Sequence, residues 1–329
     1  MRKMHMAVQM TLWNGARVPR VGVGCWAIGG RMMSGAVSLN YGEVDDAAAL
    51  AGLRVADEMG ARVFDTAAAY GGGHSEWLLG QAFGGRDDLV IVTKFGHRVD
   101  PGTRQFLDER LTPALIRETV DQSRLNLQRD RLDLVLFHVN DFDPAEAGFV
   151  FDTLDELRDA GIIGAYGWST DHVESARAFA GRDGFVAIEN DHNIFDRAEP
   201  LMAFAKEAGL ISLNRLPLAM GLLTGKYRGG KAVGPGDLRA EKLDWMKYFR
   251  NGRATPEFAT RLEAIRDLLC TGGRSLAQGA LGWILAKAPH AIPVPGFKSE
   301  TQVRDNLGTL EKGPLPDAIM AEIDAVLDA

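Results

Sequence analysis

The chain has 329 residues, with 37 Lys+Arg against 44 Asp+Glu, a formal charge of −7 and a 46% hydrophobic content. These figures describe a core-forming globular protein and exclude a disordered or collagen-like chain, while the acidic balance argues against a nucleic-acid partner. Two cysteines, Cys25 and Cys270, cannot make a disulfide scaffold, so a reducing cytoplasm is expected. Arg2 and Lys3 are followed by no long apolar stretch, which speaks against a secretory signal, and no run approaches the roughly 18 apolar residues of a membrane span.

Taken in chain order, the first predicted element is a β-hairpin at about 10–19. Met10-Thr11-Leu12-Trp13 and Ala16-Arg17-Val18 flank Asn14-Gly15, a dipeptide suited to a two-residue type I′ turn. Eight short apolar runs follow: Val21 to Val23, Arg62 to Phe64, Leu89 to Val92, Leu132 to Phe137, Ile162 to Tyr166, Phe185 to Ile188, Leu210 to Leu213 and Ala291 to Val294. Amphipathic stretches alternate with them, including Asp46 to Met59, Thr112 to Leu127, Ala145 to Ala160, His172 to Ala180 and Glu199 to Ala208. Continuous apolar strands separated by helices predict a parallel sheet covered by helices. Eight such units without a composition break predict one closed (β/α)8 TIM barrel domain over 1–329. The Gly-, Lys- and Arg-rich segment of about 225–255 is too long for a plain connection and is expected to be a substrate-side loop. Pro256 to Cys270 and Ser275 to Ala288 are predicted as helices before the last strand, with further helix after it.

In such a barrel the reactive groups stand at the carboxyl ends of the strands. Asp65 follows the second run with Tyr70 close behind, Thr93-Lys94 follows the third, and His138 ends the fourth. Singly, each has a plain structural alternative: Asp65 a helix cap, Lys94 a solvated loop residue, Tyr70 a rim contact, His138 a core imidazole. Their arrival together at consecutive strand ends points to a site. Gly22-Val23-Gly24-Cys25-Trp26-Ala27 also fits the Gly-x-Gly-x-x-Ala pattern of a Rossmann turn. That motif requires a helix to open there, and helical periodicity starts only near Asp46.

Asp65-Thr66-Ala67 with Tyr70-Gly71, Gly73-His74-Ser75-Glu76, Leu79-Gly80, Thr93-Lys94-Phe95-Gly96 and Leu134 to His138 resemble the signature of the aldo-keto reductases. So do Gly221 to Tyr227, and Val294-Pro295-Gly296-Phe297-Lys298-Ser299 with Gln302 and Asn306. The resemblance runs from about Val18 to Leu310. It implies an NADPH/NADP+-dependent oxidoreductase, with NAD as the lesser alternative, acting on a small-molecule carbonyl or alcohol without metal. It implies a tetrad of Asp65, Tyr70, Lys94 and His138: Tyr70 delivers a proton, Lys94 lowers its pKa, Asp65 orients Lys94, and His138 aims the carbonyl oxygen.

Cofactor contacts implied by the same likeness are Gly24, Cys25 and Trp26 beside the nicotinamide, and Ser169 on its carboxamide. Thr170, Glu189, Arg215, Pro217, Leu218, Gly221, Leu223 and Lys226 lie along its course. Gly296, Lys298, Gln302, Asp305 and Asn306 fall at the adenosine, with Lys298 on a 2′-phosphate near a helix starting at Ser299. Three positions depart from the family pattern: Thr170 in place of asparagine, Glu189 in place of glutamine, and Arg215 in place of an aromatic ring. Glu189 and Arg215 are expected to pair beneath the cofactor. Substrate walls are expected from Trp26, Trp168 and the loop aromatics Trp245, Tyr248 and Phe249, with Arg98 a candidate for an anionic group. Two other readings remain at this point: a nicotinamide-binding sensor like the potassium-channel β subunits, and a Schiff-base aldolase using Lys94.

Overall fold

The computed structural model describes residues 8–328, so the Arg2-Lys3 segment lies outside it. Eight parallel strands run β1 (Val23–Gly24), β2 (Val63–Asp65), β3 (Val90–Phe95), β4 (Leu132–Phe137), β5 (Ile163–Ser169), β6 (Phe185–Asp191), β7 (Ile211–Arg215) and β8 (Ala291–Pro293), each beside the next in chain order. The sheet closes because the Gly22 amide donates to Pro293 O at 2.9 Å and the Gly24 amide to Pro295 O at 3.0 Å. A Cβ at residue 24 would sit 2.5 Å from Val294 O, so the closing seam requires glycine there. The architecture is the expected (β/α)8 barrel.

The surrounding helices are α1 (Asp46–Glu58), α2 (His74–Phe83), α3 (Pro113–Leu127), α4 (Gly148–Asp159), α5 (Val173–Phe179), α6 (Glu199–Glu207), α7 (Pro256–Leu269), α8 (Leu276–Lys287), α9 (Glu300–Lys312) and α10 (Asp317–Leu327). Local chemistry sets several of their starts. Thr112 caps α3 ahead of Pro113, and Ser275 with Gln278 forms a reciprocal capping box on α8.

Side-chain parity along the strands organises everything that follows. Successive strand residues face opposite sides. Val63, Val90, Val92, Leu134, Leu136, Ala165, Ala187, Ile211, Leu213, Ile292 and Val294 form the apolar barrel interior. Their neighbours Phe64, Ile91, Phe95, Val135, Phe137, Tyr166, Trp168 and Ile188 pack outward against the helices. The hairpin (Gln9–Thr11 with Arg17–Pro19) contributes Leu12 and Val18 to the interior cluster and so plugs one end. Its turn is not the expected two-residue one. The Leu12 amide pairs with Ala16 O, the Gly15 amide donates to Leu12 O, and Gly15 alone takes φ 81°, leaving a three-residue loop of Trp13, Asn14 and Gly15. The Asn14 side chain accepts from the Ala16 amide instead of turning the chain through its own positive φ.

The 225–255 segment is folded rather than plain loop. It holds short turns at Arg228–Gly230 and Leu238–Ala240 and a two-residue hairpin, Phe249–Arg250 against Arg253–Ala254.

Candidate active site

Continuing the inward parity of each strand by one step brings polar groups to the open mouth of the barrel. Val63 is followed by Asp65, Val92 by Lys94, Leu136 by His138, Gly167 by Ser169, Ala187 by Glu189 and Leu213 by Arg215. The apolar layer beneath excludes water, and the layer above it is where charge collects.

At its centre the Lys94 ammonium donates to Asp65 Oδ1 at 2.5 Å, to Thr66 O at 2.8 Å and to the Tyr70 hydroxyl at 3.4 Å. Lys94 is 1% exposed and Asp65 4%, which removes the solvated-lysine and helix-cap alternatives. Tyr70 is held from two sides. Its ring stacks on Trp26 at 5.8 Å and 18°, and meets the His138 ring edge-on at 5.8 Å. Gly71 follows with φ 61°, and a Cβ there would fall 1.9 Å from Gly29 O, so only glycine lets the Tyr70 turn press on the Trp26 loop.

The motif residues beyond the mouth are structural. Ser75 bridges Thr66 and Cys25 O, while the buried Glu76 accepts from Thr93 Oγ1 at 2.6 Å and Asn126 Nδ2 at 3.0 Å, tying α2 to β3 and α3.

Burial opposes the Lys94 charge, but Asp65, Glu189 and Tyr70 outweigh it and hold the ammonium above its usual range. The expected lowering of the Tyr70 pKa is present only as one contribution. Burial pushes the phenol up, Lys94 pulls it down, and Asp65 and Glu189 push it up again, so it stands above its usual value. Burial, then His97, Lys94 and Arg215, drive the His138 imidazole well below its usual pKa, so it is neutral at pH 7. The His97 ring lies 4.6 Å from it.

Glu189 and Arg215 do not pair as expected. Arg215 lies against Asp171 and Asp191 (3.1 Å), with Ser169 Oγ accepting at 3.3 Å. Asp191 is reached because it ends β6 directly beside Arg215 at the end of β7, and Asp171 because it follows the end of β5. Glu189, one strand over and deeper, lies 3.3 Å from Lys94 instead.

From this centre a groove of about 400 Å³ runs along the mouth to α9. It is lined by Gly24, Trp26, Asp65, Tyr70, Glu189 and Arg215, then Pro217, Leu218, Gly221 and Lys226, and finally Gly296, Lys298, Gln302, Asp305 and Asn306. At the far end the Lys298 amide donates to Gln302 Oε1 at 2.7 Å, the Lys298 ammonium to Tyr41 O at 3.0 Å, and Asn306 to Gly296 O at 3.3 Å. Ser299 caps α9, where the helix was expected to start.

Several expected contacts are not in the groove. The Cys25 side chain is fully buried toward Val23 O, and Leu223 is fully buried in the apolar cluster beside α8. Ser169 and Thr170 are buried, and the Thr170 hydroxyl donates to Asn140 O at 2.9 Å. Trp168 does not wall a pocket: its parity is outward, and it packs on Phe137, Phe151 and Phe179 with Nε1 donating to Val139 O. Tyr248 and Phe249 are buried anchors rather than mobile walls, Tyr248 accepting from Asn193 at 2.9 Å. Arg98 is neutralised by Asp108 at 2.8 and 3.0 Å. Trp245 remains 47% exposed, 6.5 Å from Trp26 across the mouth.

Two lining features went unanticipated. Arg239 is paired with Asp237, donates to Met220 O at 2.7 Å and lies over Tyr41, Tyr227 and Phe249. Leu216 and Met220, with the buried Ala219 between them, take positive φ of 48°, 56° and 46°, and strain of this kind in non-glycine residues clusters at functional sites.

The model of the aldo/keto reductase family matches residues 20–328. The chain belongs to this family of oxidoreductases. Aldo-keto reductase YhdN of Bacillus subtilis is 31% identical over 88% of the chain and 84% of its own length. The glycerol dehydrogenase of Gluconobacter oxydans superposes with a TM-score of 0.81 at 24% identity, covering 98% of this chain and 96% of that one. An aldo-keto reductase of Klebsiella pneumoniae in complex with NADPH superposes at 0.69 and 22%, covering 97% and 95%. The reductase fold and the charged barrel mouth thus arrive together.

Proposed function

We propose that this aldo/keto reductase interconverts an aldehyde or ketone and its alcohol with NADPH, using Tyr70 as proton donor and acceptor. The carrying observation is the Lys94 ammonium, 2.5 Å from Asp65 and 3.4 Å from the Tyr70 hydroxyl, at the end of the long groove. The groove's fit to a dinucleotide rests on its length, its apolar floor and its cations. Lys226 and Lys298 offer cations to anionic groups, Arg239 being committed to Asp237, and Trp26 and Tyr70 provide flat surfaces at the other end.

NADPH, when bound, supplies the hydride. Tyr70, with its pKa above the usual phenol value, is fully protonated at neutral pH and so is charged for donation in the reducing direction. As the alkoxide develops, the adjacent Lys94 ammonium stabilises the phenolate left behind, and Asp65 keeps that ammonium in place. Neutral His138, edge-on to Tyr70, offers a second hydrogen bond to the same oxygen. Lys298, Gln302, Asp305 and Asn306 hold the adenosine end. An ammonium at Lys298 suits the 2′-phosphate and favours NADPH over NADH, in keeping with the NADPH of the Klebsiella relative. Trp26 and Trp245 frame a mouth suited to an aromatic or sugar-like carbonyl.

The aldolase reading requires a neutral Lys94 amine. An ammonium held above its usual range, chiefly by Asp65, opposes it. A panel of aldehydes, ketones and alcohols assayed with both nicotinamides tests the proposal through nicotinamide absorbance. Consumption of NADPH by at least one carbonyl, with weaker use of NADH, is expected. Failure of every carbonyl and alcohol with both cofactors would reject it.

A further inference from the structure

Glu189 is 1% exposed and lines the groove beside Asp65 and Tyr70. An ammonium has three hydrogens to donate. Those of Lys94 are taken by Asp65 Oδ1, Thr66 O and the Tyr70 hydroxyl. Glu189 Oε2 lies 3.3 Å from the same nitrogen without taking one of those three hydrogens, the Glu189 carboxyl meets that of Asp65 beside it, and Arg215 on the neighbouring strand is occupied by Asp171 and Asp191. Every charged group facing Glu189 is therefore accounted for: Asp65 on β2, Lys94 on β3, Arg215 on β7, and the Tyr70 phenol between β2 and α2. Two buried carboxyls share one committed cation, and like charges so placed do not both ionise.

We propose that Glu189 is the groove's proton-holding residue, neutral when the reduced nicotinamide binds and ionised when the oxidised, positively charged ring binds, so that rising pH shifts the site's preference toward the oxidised cofactor. This deepens the NADPH reading above and rests on it. A neutral carboxyl has a donor and an acceptor, as the glutamine of the family pattern has, and so serves a carboxamide equally well. An ionised one adds a negative charge that a glutamine never supplies. Burial and Asp65 push the Glu189 pKa up to about 8, against the pull of Lys94 and Arg215. The switch therefore lies above the ordinary carboxylate range. Binding of the cationic ring favours the ionised form, and that carboxyl must then release its proton to solvent.

Calorimetric titration of the full chain with NADP+ and with NADPH, at pH 6.5 and 9 and in buffers of differing ionisation enthalpy, tests this without turnover. The wild type is expected to improve its Kd for NADP+ relative to NADPH roughly tenfold across this range, one pKa unit of linkage. Near pH 8 it is expected to release more protons on binding NADP+ than on binding NADPH. Phosphate and lysine titrations are common to both nucleotides and cancel in the difference. Glu189→Gln is expected to abolish both the tenfold change and the proton difference while binding both forms. A ratio independent of pH in the wild type, or an unchanged pH dependence in Glu189→Gln, would overturn the proposal. The proton difference is read on the wild type alone and stands even if the variant folds poorly. A wild type that binds neither nucleotide at either pH would instead overturn the NADPH reading beneath it.

Discussion

The two ends of the groove are built differently. The Tyr70 end consists of strand residues locked by buried contacts: Lys94 and Glu189 are each 1% exposed, and no partner must be surrendered for Tyr70 to meet a carbonyl. The Lys298 end consists of helix and loop residues whose polar groups are already spent on one another. The Lys298 ammonium rests on Tyr41 O, the Gln302 carboxamide on the Lys298 amide, and Asn306 on Gly296 O. A ligand at that end must exchange these bonds for its own. The contrast assigns rate to the first region, where preorganised charge acts on the transition state, and affinity to the second.

Substitutions that separate rate from affinity sharpen or break that division. Tyr70→Phe removes the proton source and leaves the stacking on Trp26, so kcat is expected to fall by on the order of 10²–10⁴, the usual worth of a general acid. Equilibrium titration of NADPH fluorescence should show its affinity nearly unchanged. A comparable loss of cofactor affinity would erase the distinction between the ends. Lys298→Ala should do the reverse, weakening NADPH by about 10- to 100-fold, the worth of a charged hydrogen bond, with little effect on NADH or on kcat at saturation. Equal weakening of both nucleotides, measured by the same titration, would remove the 2′-phosphate from Lys298.

A smaller effect concerns stability. Glu189 holds its proton in the fold up to about pH 8, whereas an unfolded carboxyl loses it near its ordinary value of 4.5. Between those limits the native state binds more protons, so wild-type stability falls as pH rises. Glu189→Gln lacks this loss, and its melting temperature should gain on the wild type from pH 5 to pH 8.5. A constant gap between the two melting curves would place the carboxyl in its ordinary range. Smallest is Trp245→Ala at the exposed rim, expected to raise KM for an aromatic carbonyl about 2- to 10-fold with kcat preserved, as for loss of one stacking contact. An unchanged KM would exclude Trp245 from the substrate wall.

The division also explains what the sequence revealed. The eight strands were legible because continuous apolar runs have few other fates, and Asp65, Lys94 and His138 were legible because each stands at a strand end. Period-two parity was available in the same letters. Applied to Ile163–Ser169, it sends Ser169 inward and Trp168 outward, which the aromatic character of Trp168 obscured. The approach of Glu189 to Lys94 rather than Arg215 depends on depth within the mouth, set by strand stagger and by Asp171 and Asp191, which close on Arg215 from neighbouring strand ends in a way no local pattern encodes. Arg239 was hidden for a related reason. One arginine in a basic loop resembles any other until Asp237, Tyr41, Tyr227 and Phe249 enclose it. The asparagine-glycine turn erred in the opposite sense, because the dipeptide fits both a two-residue turn and the observed three-residue one.

The central claim is that this groove brings a nicotinamide hydride to a carbonyl held against Tyr70. NADPH doubly deuterated at the nicotinamide C4 position, incubated with an accepted carbonyl, measures it directly by mass spectrometry of the product. The account predicts an alcohol one mass unit heavier, formed in step with cofactor oxidation. Carbonyl consumed without deuterium in the product would contradict it.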